Sequence, residues 1–236
     1  MATDTTEVSV DTPYGATSDS LNIATVGGKA VAFLPRHGRD HTVPAHAVNY
    51  RANMWALQSL GVRMVIAPCS VGSLQADIAP GEMVVVDNLV DRTWGRADTY
   101  FDGADGVVNH IGFAEPYDAS LRGIAVAACQ QNEVTVHQTG TVVVINGPRF
   151  STKAESRWFS SMGWSVVNMT QYPESFLAAE LGMAYCGIAL VTDYDAGIEG
   201  VHERPVTMDE VFAVMHANVD RVRRVITTMI EQIQPD

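Results

Sequence analysis

Two aspartates follow a long apolar stretch near the carboxyl end of the chain. In IALVTDYDAG, Asp193 and Asp195 come directly after residues typical of a buried strand. A carboxylate at the end of a buried strand is costly unless something there needs its charge. One hypothesis is a glycosidase, because paired carboxylates can flank a glycosidic bond. Met169 and Thr170 end the preceding predicted strand and are candidates for the same site.

A basic cluster follows an earlier predicted strand, in FLPRHGRDHT. Arg36 and His37 stand beside a glycine there, and a guanidinium fork with an imidazole can hold an oxyanion such as phosphate. The alternative is a metal site built from His37, His41 and His46. Their spacing matches neither HExxH nor a Cys/His zinc pattern, so we expect no metal.

Two further stretches place small or polar side chains after predicted strands. In APCSVGSL, Cys69 and Ser70 precede a glycine, so backbone N–H groups can approach a ligand closely. A nucleophilic role lacks the GxSxG signature, and turn chemistry explains the stretch equally well. In NGPRFSTKAES, Phe150 either packs in the core or stacks on a flat ring, and Ser151 either caps a helix or faces a ligand.

The segments that must position these side chains alternate between two patterns. Near-continuous apolar runs predict strands covered on both faces, at 30–34, 63–67, 83–87, 141–145, 165–168 and 184–192. Helical spacing is found at 46–60, 118–131, 151–162, 173–181 and 207–233. This alternation predicts a single α/β domain, in which ligands bind at the carboxyl ends of the strands.

Local signals mark several element boundaries. Thr207 and Glu210 have the spacing of a capping box. Pro173 opens one helix and Gly182 ends it. The last helix carries an amphipathic stripe that we interpret as core or subunit packing. Its residues are Val211, Val214, Met215, Val219, Val222 and Ile226.

Composition and charge limit the classes of partner that we expect. The chain has 236 residues, 47% of them apolar, which is enough for a sizeable core. Its formal net charge of -12 argues against a nucleic-acid partner, because phosphate neutralisation needs a basic face. No apolar run approaches the roughly 18 residues of a membrane span, and the polar, acidic start is unlike a signal peptide. Three cysteines without a CxxC predict reduced thiols in the cytoplasm.

Taken together, the polar segments match one known family in order along the chain. The matching stretches are VDTPYG, RHGRDH, NYRANMWAL, GSL, DRT, TYFDG, GPRFSTKAES, NMTQYPE and TDYD. On these motifs the chain resembles the trimeric purine nucleoside phosphorylases, and within them the 5'-methylthioadenosine phosphorylase branch. The resemblance implies one domain over 1–236, with a central mixed, twisted sheet flanked by helices. It also implies phosphorolysis, in which phosphate attacks the sugar C1', the purine leaves, and a sugar 1-phosphate forms.

The resemblance assigns a role to each candidate residue. Asp193 is the purine-facing acid that serves N7 and the 6-amino group, and Asp195 is its neighbour in the base site. The other base and ribose contacts are Phe150, Ser151 and Met169. The phosphate site is Arg36, His37, Cys69, Ser70 and Thr170. His110 reaches the 5' substituent from a neighbouring subunit, which makes a homotrimer part of the mechanism, with a hexamer as the alternative. Inorganic phosphate is a co-substrate, and no cofactor is expected.

The base preference follows from hydrogen-bond chemistry. A 6-aminopurine presents a donor, which suits a carboxylate oxygen, whereas a 6-oxopurine presents an acceptor. This chain has Asp193, and it has Ser151 where the 6-oxo branch typically has Glu. Adenine nucleosides are therefore favoured, by about 1–3 kcal/mol for one mispaired buried edge.

The amino end departs from the family pattern. Family members normally begin with a strand and a glycine-rich loop, IGGSG or IGGTG, that contributes to phosphate binding. This chain starts at MATDTTEVSVDTPYG, and its Gly27-Gly28 pair is interpreted as a hairpin turn instead. A missing strand would expose backbone groups and apolar surface. A truncated start, a low-activity relative and a specialised role are three explanations. Asn146 also departs, because relatives often carry Glu before GPRF.

Four functions remain open on the sequence. The leading hypothesis is phosphorolysis of 5'-methylthioadenosine or a related 5'-modified adenosine. A purine nucleoside phosphorylase of broader or 6-oxo specificity is the nearest alternative. A hydrolytic nucleosidase would use water in place of phosphate, and a catalytically silent relative would only bind purines. The 5' group itself, whether methylthio, hydroxyl or another small apolar substituent, is not fixed by the sequence.

Overall fold

Apolar strands and amphipathic helices assemble around a mixed sheet. The computed structural model describes residues 3–104, 106–198, 201, 204 and 206–234. The described strands are β1 (Thr3–Val8), β2 (Leu21–Val26), β3 (Lys29–Phe33), β4 (Met64–Ser73), β5 (Met83–Val85), β6 (Asn88–Arg92), β7 (Val136–His137), β8 (Thr141–Ile145), β9 (Val166–Asn168) and β10 (Ala184–Asp193). The described helices are α1 (Tyr50–Ser59), α2 (Ala119–Gln131), α3 (Lys153–Ser161), α4 (Gln171–Glu180) and α5 (Met208–Gln232), with a 3-10 turn at Ala45–Ala47.

The larger sheet has seven strands within the described residues, in the order β6-β8-β9-β4-β10-β5-β7. β4 and β10 form its parallel centre, with Ala184 opposite Met64 and Val191 opposite Val71. β5 runs antiparallel to β10, so the sheet is mixed, as the resemblance implied. The central strands therefore deliver their carboxyl ends to one edge of the sheet, where the candidate residues lie.

Both faces of β10 are covered, which explains its continuous apolar sequence. Tyr185 and Ala189 pack in a core with residues of α1 and α4. Cys186 and Ile188 belong to a second core with residues of α2 and α5. Because successive side chains of a strand point to opposite faces, a strand between two helical layers needs apolar residues at every position.

The predicted strand at 30–34 is placed differently from expectation. It corresponds to β3, which lies in a separate antiparallel sheet of order β1-β2-β3 and keeps some of its side chains exposed. Gly27 and Gly28 do form the turn between β2 and β3, both with positive φ (56° and 77°). The prediction of burial on both faces was wrong here, because a run of small apolar residues fits a half-covered strand equally well.

The helix ends follow the sequence signals with one exception. Thr207 and Glu210 form the predicted capping box, and Gly182 follows α4 with a φ of 69°. Non-helical dihedral angles at Tyr172 separate Gln171 from the regular part of α4, which begins at Pro173 as predicted. Ser151 is not the cap of α3; Thr152 caps that helix and forms a capping box with Glu155.

One edge of β4 lacks a partner among the described residues. Its residues Gly72 and Ser73 pair with β9, whereas Met64–Ser70 pair with β10 alone. That open edge faces β3 across a cavity of about 870 Å³. Ile226 and Ile230 of α5 line the same groove, and Arg36 and Glu174 lie along it.

Two smaller expectations are also addressed by the structure. Cys69, Cys129 and Cys186 are all free thiols, as predicted. None of the helices in the described part of the chain is long and apolar enough to cross a membrane.

Candidate active site

A cavity of about 770 Å³ lies at the carboxyl ends of β4, β8, β9 and β10. All candidate residues except Ser151 and His110 line it, from one end to the other: Asp193, Asp195, Phe150, Met169, Thr170, Ser70, Cys69, His37 and Arg36. Residues from five separate stretches of sequence are thus brought to one site. We call the part around Asp193 the purine end and the part around Arg36 the phosphate end, after the ligands that the resemblance implies for them.

An irregular register turns the two aspartates toward this cavity. The pairing of β10 with β4 shifts between Val191 and Asp193, and β10 ends there. Asp195 follows in the left-handed region with a φ of 48°. Its backbone N–H then donates to Asp193 Oδ1 over 2.7 Å. The strand has ended before Asp195, so a tight turn rather than the strand sets the relation of the two carboxylates.

Gly72 makes room for this turn. A Cβ atom at that position would lie 2.9 Å from Asp193 Oδ1 and 3.0 Å from Asp195 Cβ. Those distances are shorter than real Cβ contacts, so any larger residue displaces the aspartates. The glycine of the GSL motif is therefore required by the close approach of β4 to the purine end.

Burial makes Asp193 a weak acid. Removal from water raises its pKa to about 6, although hydrogen bonds from Thr192 and from the Asp195 N–H oppose the rise. The neighbouring charges of Asp195 and Glu210 add to it. An acid with a pKa in this range can carry a proton near neutral pH and donate it.

Asp195 lies deeper than Asp193, at 3% exposure. Burial raises its pKa, and the nearby hydroxyls of Ser156 and Ser151 partly oppose that rise. Ser151 is close to Asp195, but it is not among the residues that line the cavity. Among the described residues, Ser151 Oγ and Asp195 Oδ2 are both buried without a well-formed hydrogen bond. The purine end therefore contains buried polar atoms whose hydrogen bonds are not satisfied by the described part of the chain.

Met169 and Phe150 form an apolar wall of the cavity. Gly147, with a φ of 67°, allows Met169 to approach, because a Cβ there would lie 2.5 Å from Met169 Sδ. Arg96 holds this region together by donating to the carbonyl oxygens of Met169 (2.8 Å) and Asn146 (3.0 Å). Asn146 Oδ1 also accepts from Arg96 Nε over 3.3 Å. The departure at position 146 therefore puts a neutral amide beside a guanidinium.

At the phosphate end, Arg36 is already paired. Its Nε and Nη2 donate to the two oxygens of Glu174 over 2.5 and 2.7 Å. Tyr185 donates to the same carboxylate. Although burial opposes the charge, Glu174 raises the pKa of Arg36, so the guanidinium stays protonated. Only Nη1, 3.4 Å from the Pro68 carbonyl oxygen, is left outside this ion pair.

His37 offers an acceptor rather than a charge. Its Nδ1 lies 2.8 Å from the Val43 carbonyl oxygen, so Nδ1 must carry the hydrogen. Burial lowers its pKa, and the neutral ring then presents Nε2 as an acceptor. A hydrogen phosphate ion, which has its own O–H donor, suits this atom.

Cys69 and the histidines have no nucleophilic or metal-binding arrangement. Burial raises the pKa of the Cys69 thiol, and Gln171 Nε2 donates to its sulfur over 3.2 Å. A thiol that stays protonated is a poor nucleophile. His37 and His41 stack with ring centroids 4.6 Å apart. In the described part of the chain, no group of three His, Cys, Asp or Glu side chains is placed to hold a metal ion.

Comparisons with known proteins show the family of the chain. The model of the Phosphorylase superfamily matches residues 2–231. The chain belongs to the phosphorylase superfamily. It is 52% identical to an S-methyl-5'-thioadenosine phosphorylase of Mycolicibacterium smegmatis, over 99% of this chain and 86% of the relative. It is 51% identical to a purine nucleoside phosphorylase of Streptomyces coelicolor, over 94% and 81%.

Solved structures place the fold in the same superfamily. A double mutant of the adenosine/methylthioadenosine phosphorylase of Schistosoma mansoni, in complex with adenine, superposes with a TM-score of 0.91 at 38% identity. The match covers 95% of this chain and 86% of that one. The expectation of a phosphorylase fold is confirmed.

Other cavity residues of this phosphorylase were not predicted as site residues. Val211 and Met215, from the apolar stripe that was interpreted as core or subunit packing, line the cavity together with Phe212 of the same helix. Val225 and Met229, further along the helix, do pack in the core. Glu174 and Thr192 were missed as well; the QYPE and VTD stretches contain them, but no spacing rule marks their contacts.

His110 is not brought to the cavity within one chain. It lies in an exposed segment without regular secondary structure. Its expected contact with the 5' substituent would have to come from a second subunit, and that expectation stays a prediction.

Proposed function

We propose that the protein catalyses phosphorolysis of 5'-methylthioadenosine, or a related 5'-modified adenosine, to adenine and a 5-modified ribose 1-phosphate. This makes it a pentosyltransferase of the purine nucleoside phosphorylase type. The observation that carries the proposal is the buried Asp193, with a pKa raised to about 6, in one cavity with the Arg36–His37 pair. Relatives named for this reaction support it at 41–52% identity.

Asp193 is the catalytic residue in this proposal. As the glycosidic bond breaks, the leaving purine accumulates negative charge, and a proton delivered to N7 lowers the barrier. The protonated carboxyl of Asp193 supplies that proton. Phosphate, held at the other end of the same cavity, attacks C1' from the opposite side of the sugar and stabilises its developing positive charge.

The purine end favours a 6-amino group. Carboxylate oxygens only accept hydrogen bonds when ionised, and an exocyclic amine donates them. Asp195, buried beside Asp193, supplies such acceptors. Met169 lies against the ribose, and its carbonyl oxygen already accepts a hydrogen bond from Arg96.

The apolar part of the cavity suits a small 5' substituent without charge. Met215, Val219 and Val222 of α5 line it, opposite Ile188 and Leu190 of β10. A methylthio group gains from leaving water in such surroundings, whereas a free hydroxyl would lose its hydrogen bonds. Methylthioadenosine is therefore preferred over adenosine.

The phosphate end binds its anion without a net positive charge, because Glu174 neutralises Arg36 and His37 is neutral. Binding must come from hydrogen bonds of Arg36, His37, Ser70, Thr170 and nearby backbone. The groove along the open edge of β4 continues from this end. We expect a high KM for phosphate in this chain, and inorganic phosphate is the only co-substrate assigned.

We also propose a homotrimer, with a hexamer as the alternative. Exposed apolar side chains cluster in the segment that precedes α2, including Trp94, Val107 and Val108. His110 lies in the same segment, so an interface formed there would carry it to a neighbour's cavity. Light scattering after size exclusion tests this. Free thiols suit the reducing cytoplasm, where the products would enter purine and methionine salvage.

The decisive experiment measures adenine release from methylthioadenosine with and without phosphate. Phosphate-dependent release supports the proposal. Equal release in both would identify a nucleosidase, the second candidate, which the neutralised phosphate end favours. Nucleoside binding without release would identify a silent relative, and faster turnover of inosine than of adenosine would identify a 6-oxo enzyme.

A further inference from the structure

One arginine outside the cavity binds the backbone behind its wall. Arg96 follows the end of β6, is half-buried, and is not among the described residues that line the cavity. Its Nη2 atom donates to the carbonyl oxygens of Met169 and Asn146, and its Nη1 atom donates to the carbonyl oxygen of Tyr172. Its Nε atom donates to the Asn146 side chain. One guanidinium therefore joins the segments that follow β6, β8 and β9 to the start of α4.

These hydrogen bonds begin where the strand pairing stops. The paired residues of β8 and β9 end at Val144 and Asn168. Asn146 and Met169 lie beyond that pairing, so their carbonyl oxygens need donors from elsewhere. Arg96 Nη2 reaches both, over 3.0 and 2.8 Å. The planar guanidinium thus sets the spacing of the two segments after the sheet ladder has ended.

A hydrogen count identifies Arg96 as the donor that holds the Met169 peptide. The Tyr50 hydroxyl lies 2.9 Å from the Ala45 carbonyl oxygen and 3.5 Å from that of Met169. A hydroxyl has one hydrogen to donate, and the shorter contact, to Ala45, takes it. The Arg96 guanidinium, which lies over the Tyr50 ring at 5.2 Å, makes the short bond to Met169 instead.

We propose that Arg96 is a positioning residue for the sugar, which fixes the Met169 peptide without touching the substrate. The inference rests on the proposed function, which puts the ribose against Met169. The base contacts assigned to Asp193 and Asp195 come from the end of β10, which receives none of the four hydrogen bonds of Arg96. Loss of the guanidinium should therefore weaken binding of a nucleoside and spare binding of the free base.

The test uses two ligands that differ only by the sugar. 7-Deaza-5'-methylthioadenosine has no N7 atom for the acid to protonate, so it should bind without being cleaved, and 7-deazaadenine is its free base. Calorimetric titration of the parent and of Arg96→Met measures both dissociation constants. In the variant, the Kd of the nucleoside should rise about tenfold, the value of one hydrogen bond, while the Kd of the base stays within about twofold.

Two further variants control for folding and for charge. Arg92→Met makes the same change at an exposed arginine, whose guanidinium lies over the Trp158 ring, and it should leave both constants as in the parent. Arg96→Lys keeps the charge but loses the planar fork. All four acceptors of Arg96 are neutral oxygen atoms, so geometry matters more than charge, and Arg96→Lys should also weaken nucleoside binding, by a smaller factor.

Each outcome decides the inference. Equal weakening of base and nucleoside would show that Arg96 only stabilises the fold, and parental constants for both ligands would show that it positions nothing. Either result overturns the inference while the proposed function stands. Where Arg96→Met does not fold, parental constants in Arg96→Lys overturn it. If the parent binds neither ligand, the proposed function fails first and the inference fails with it.

Discussion

The two ends of the cavity differ in how their ionisable side chains are stabilised. The purine end gathers two buried carboxylates that have no ion-pair partner among the described residues, and burial raises the pKa of both. The phosphate end has a guanidinium, but Glu174 already satisfies two of its donors. At the purine end, burial thus raises the pKa of a carboxyl so that it can carry a proton. At the phosphate end, an ion pair keeps the guanidinium charged.

This difference indicates that base selectivity and phosphate affinity are set at different ends of the cavity. Unsatisfied buried polar atoms at the purine end are costly unless the right base edge arrives, which makes that end discriminating. At the phosphate end, the ion pair is satisfied before any ligand binds, so phosphate gains less there. We infer that base identity is set strictly and that phosphate affinity is the adjustable quantity.

The largest expected effect is from Asp193→Asn at the purine end. Asparagine cannot deliver a proton, so kcat for methylthioadenosine should fall by about 10²–10⁴-fold, the usual contribution of a general acid. Its amide should also improve the relative rate of 6-oxopurine nucleosides. Steady-state rates with methylthioadenosine and inosine measure both, with the exposed Asp77→Asn as a matched control. Unchanged preference for adenosine-type substrates would contradict the role given to this carboxyl.

A different failure is expected from Arg36→Ala at the phosphate end. Removing the guanidinium leaves Glu174, at 2% exposure, as an unpaired buried charge. Stability should fall by about 3–5 kcal/mol. The double variant Arg36→Ala/Glu174→Gln should recover much of that stability but not the phosphate KM. Urea unfolding and phosphate titration separate the two; full recovery of KM would show that Arg36 only stabilises the fold.

A smaller effect, confined to the purine end, is expected from Gly72→Ala. The new methyl group must displace Asp193 Oδ1 and the backbone of Asp195. Overpacking of this kind costs about 1–3 kcal/mol. Because the acid moves, kcat should fall while the phosphate KM stays near that of the parent. Gly61→Ala, a position with open space, is the stability control, although its own φ of 83° adds strain. Loss of phosphate affinity in Gly72→Ala would mean that the two ends are coupled.

Much of the structure behind this contrast could be predicted from the sequence. The rest could not, and the reasons are physical. Apolar runs at 141–145 and 184–192 predicted β8 and β10, because strands between two helical layers are continuously apolar. β1 and β6 escaped prediction: TDTTEV and NLVDR are polar and largely exposed, and their pairing depends on distant partners.

The residues of the site also divide into those that the sequence predicts and those that it does not. Residue types and motifs predicted the cavity-lining candidates, because acids, guanidinium groups and small residues after strands carry their own chemical signal. The Arg36–Glu174 pair joins residues 138 positions apart, and no local pattern predicts it. The cavity-facing turns of α5 look like core in sequence, because a hydrophobic ligand pocket and a hydrophobic core select the same side chains.

The last expected effect concerns stability rather than rate. The pKa of Asp193 is about 6 in the folded chain, against an ordinary value of 3.8. A raised pKa means that folding disfavours the ionised form. The penalty is therefore absent below about pH 4, grows as the pH rises toward 6, and stays constant above. Asp193→Asn removes it, so the variant should be more stable than the parent by about 3 kcal/mol near neutral pH and equal to it in acid. Arg36 stays protonated across that window, and His37, whose pKa burial lowers, is present in both proteins, so the difference between them reports on Asp193. Urea unfolding of both proteins across this pH range measures the gap. A gap that is independent of pH would show that Asp193 is not held as a weak acid, and the contrast between the two ends would then be one of shape alone.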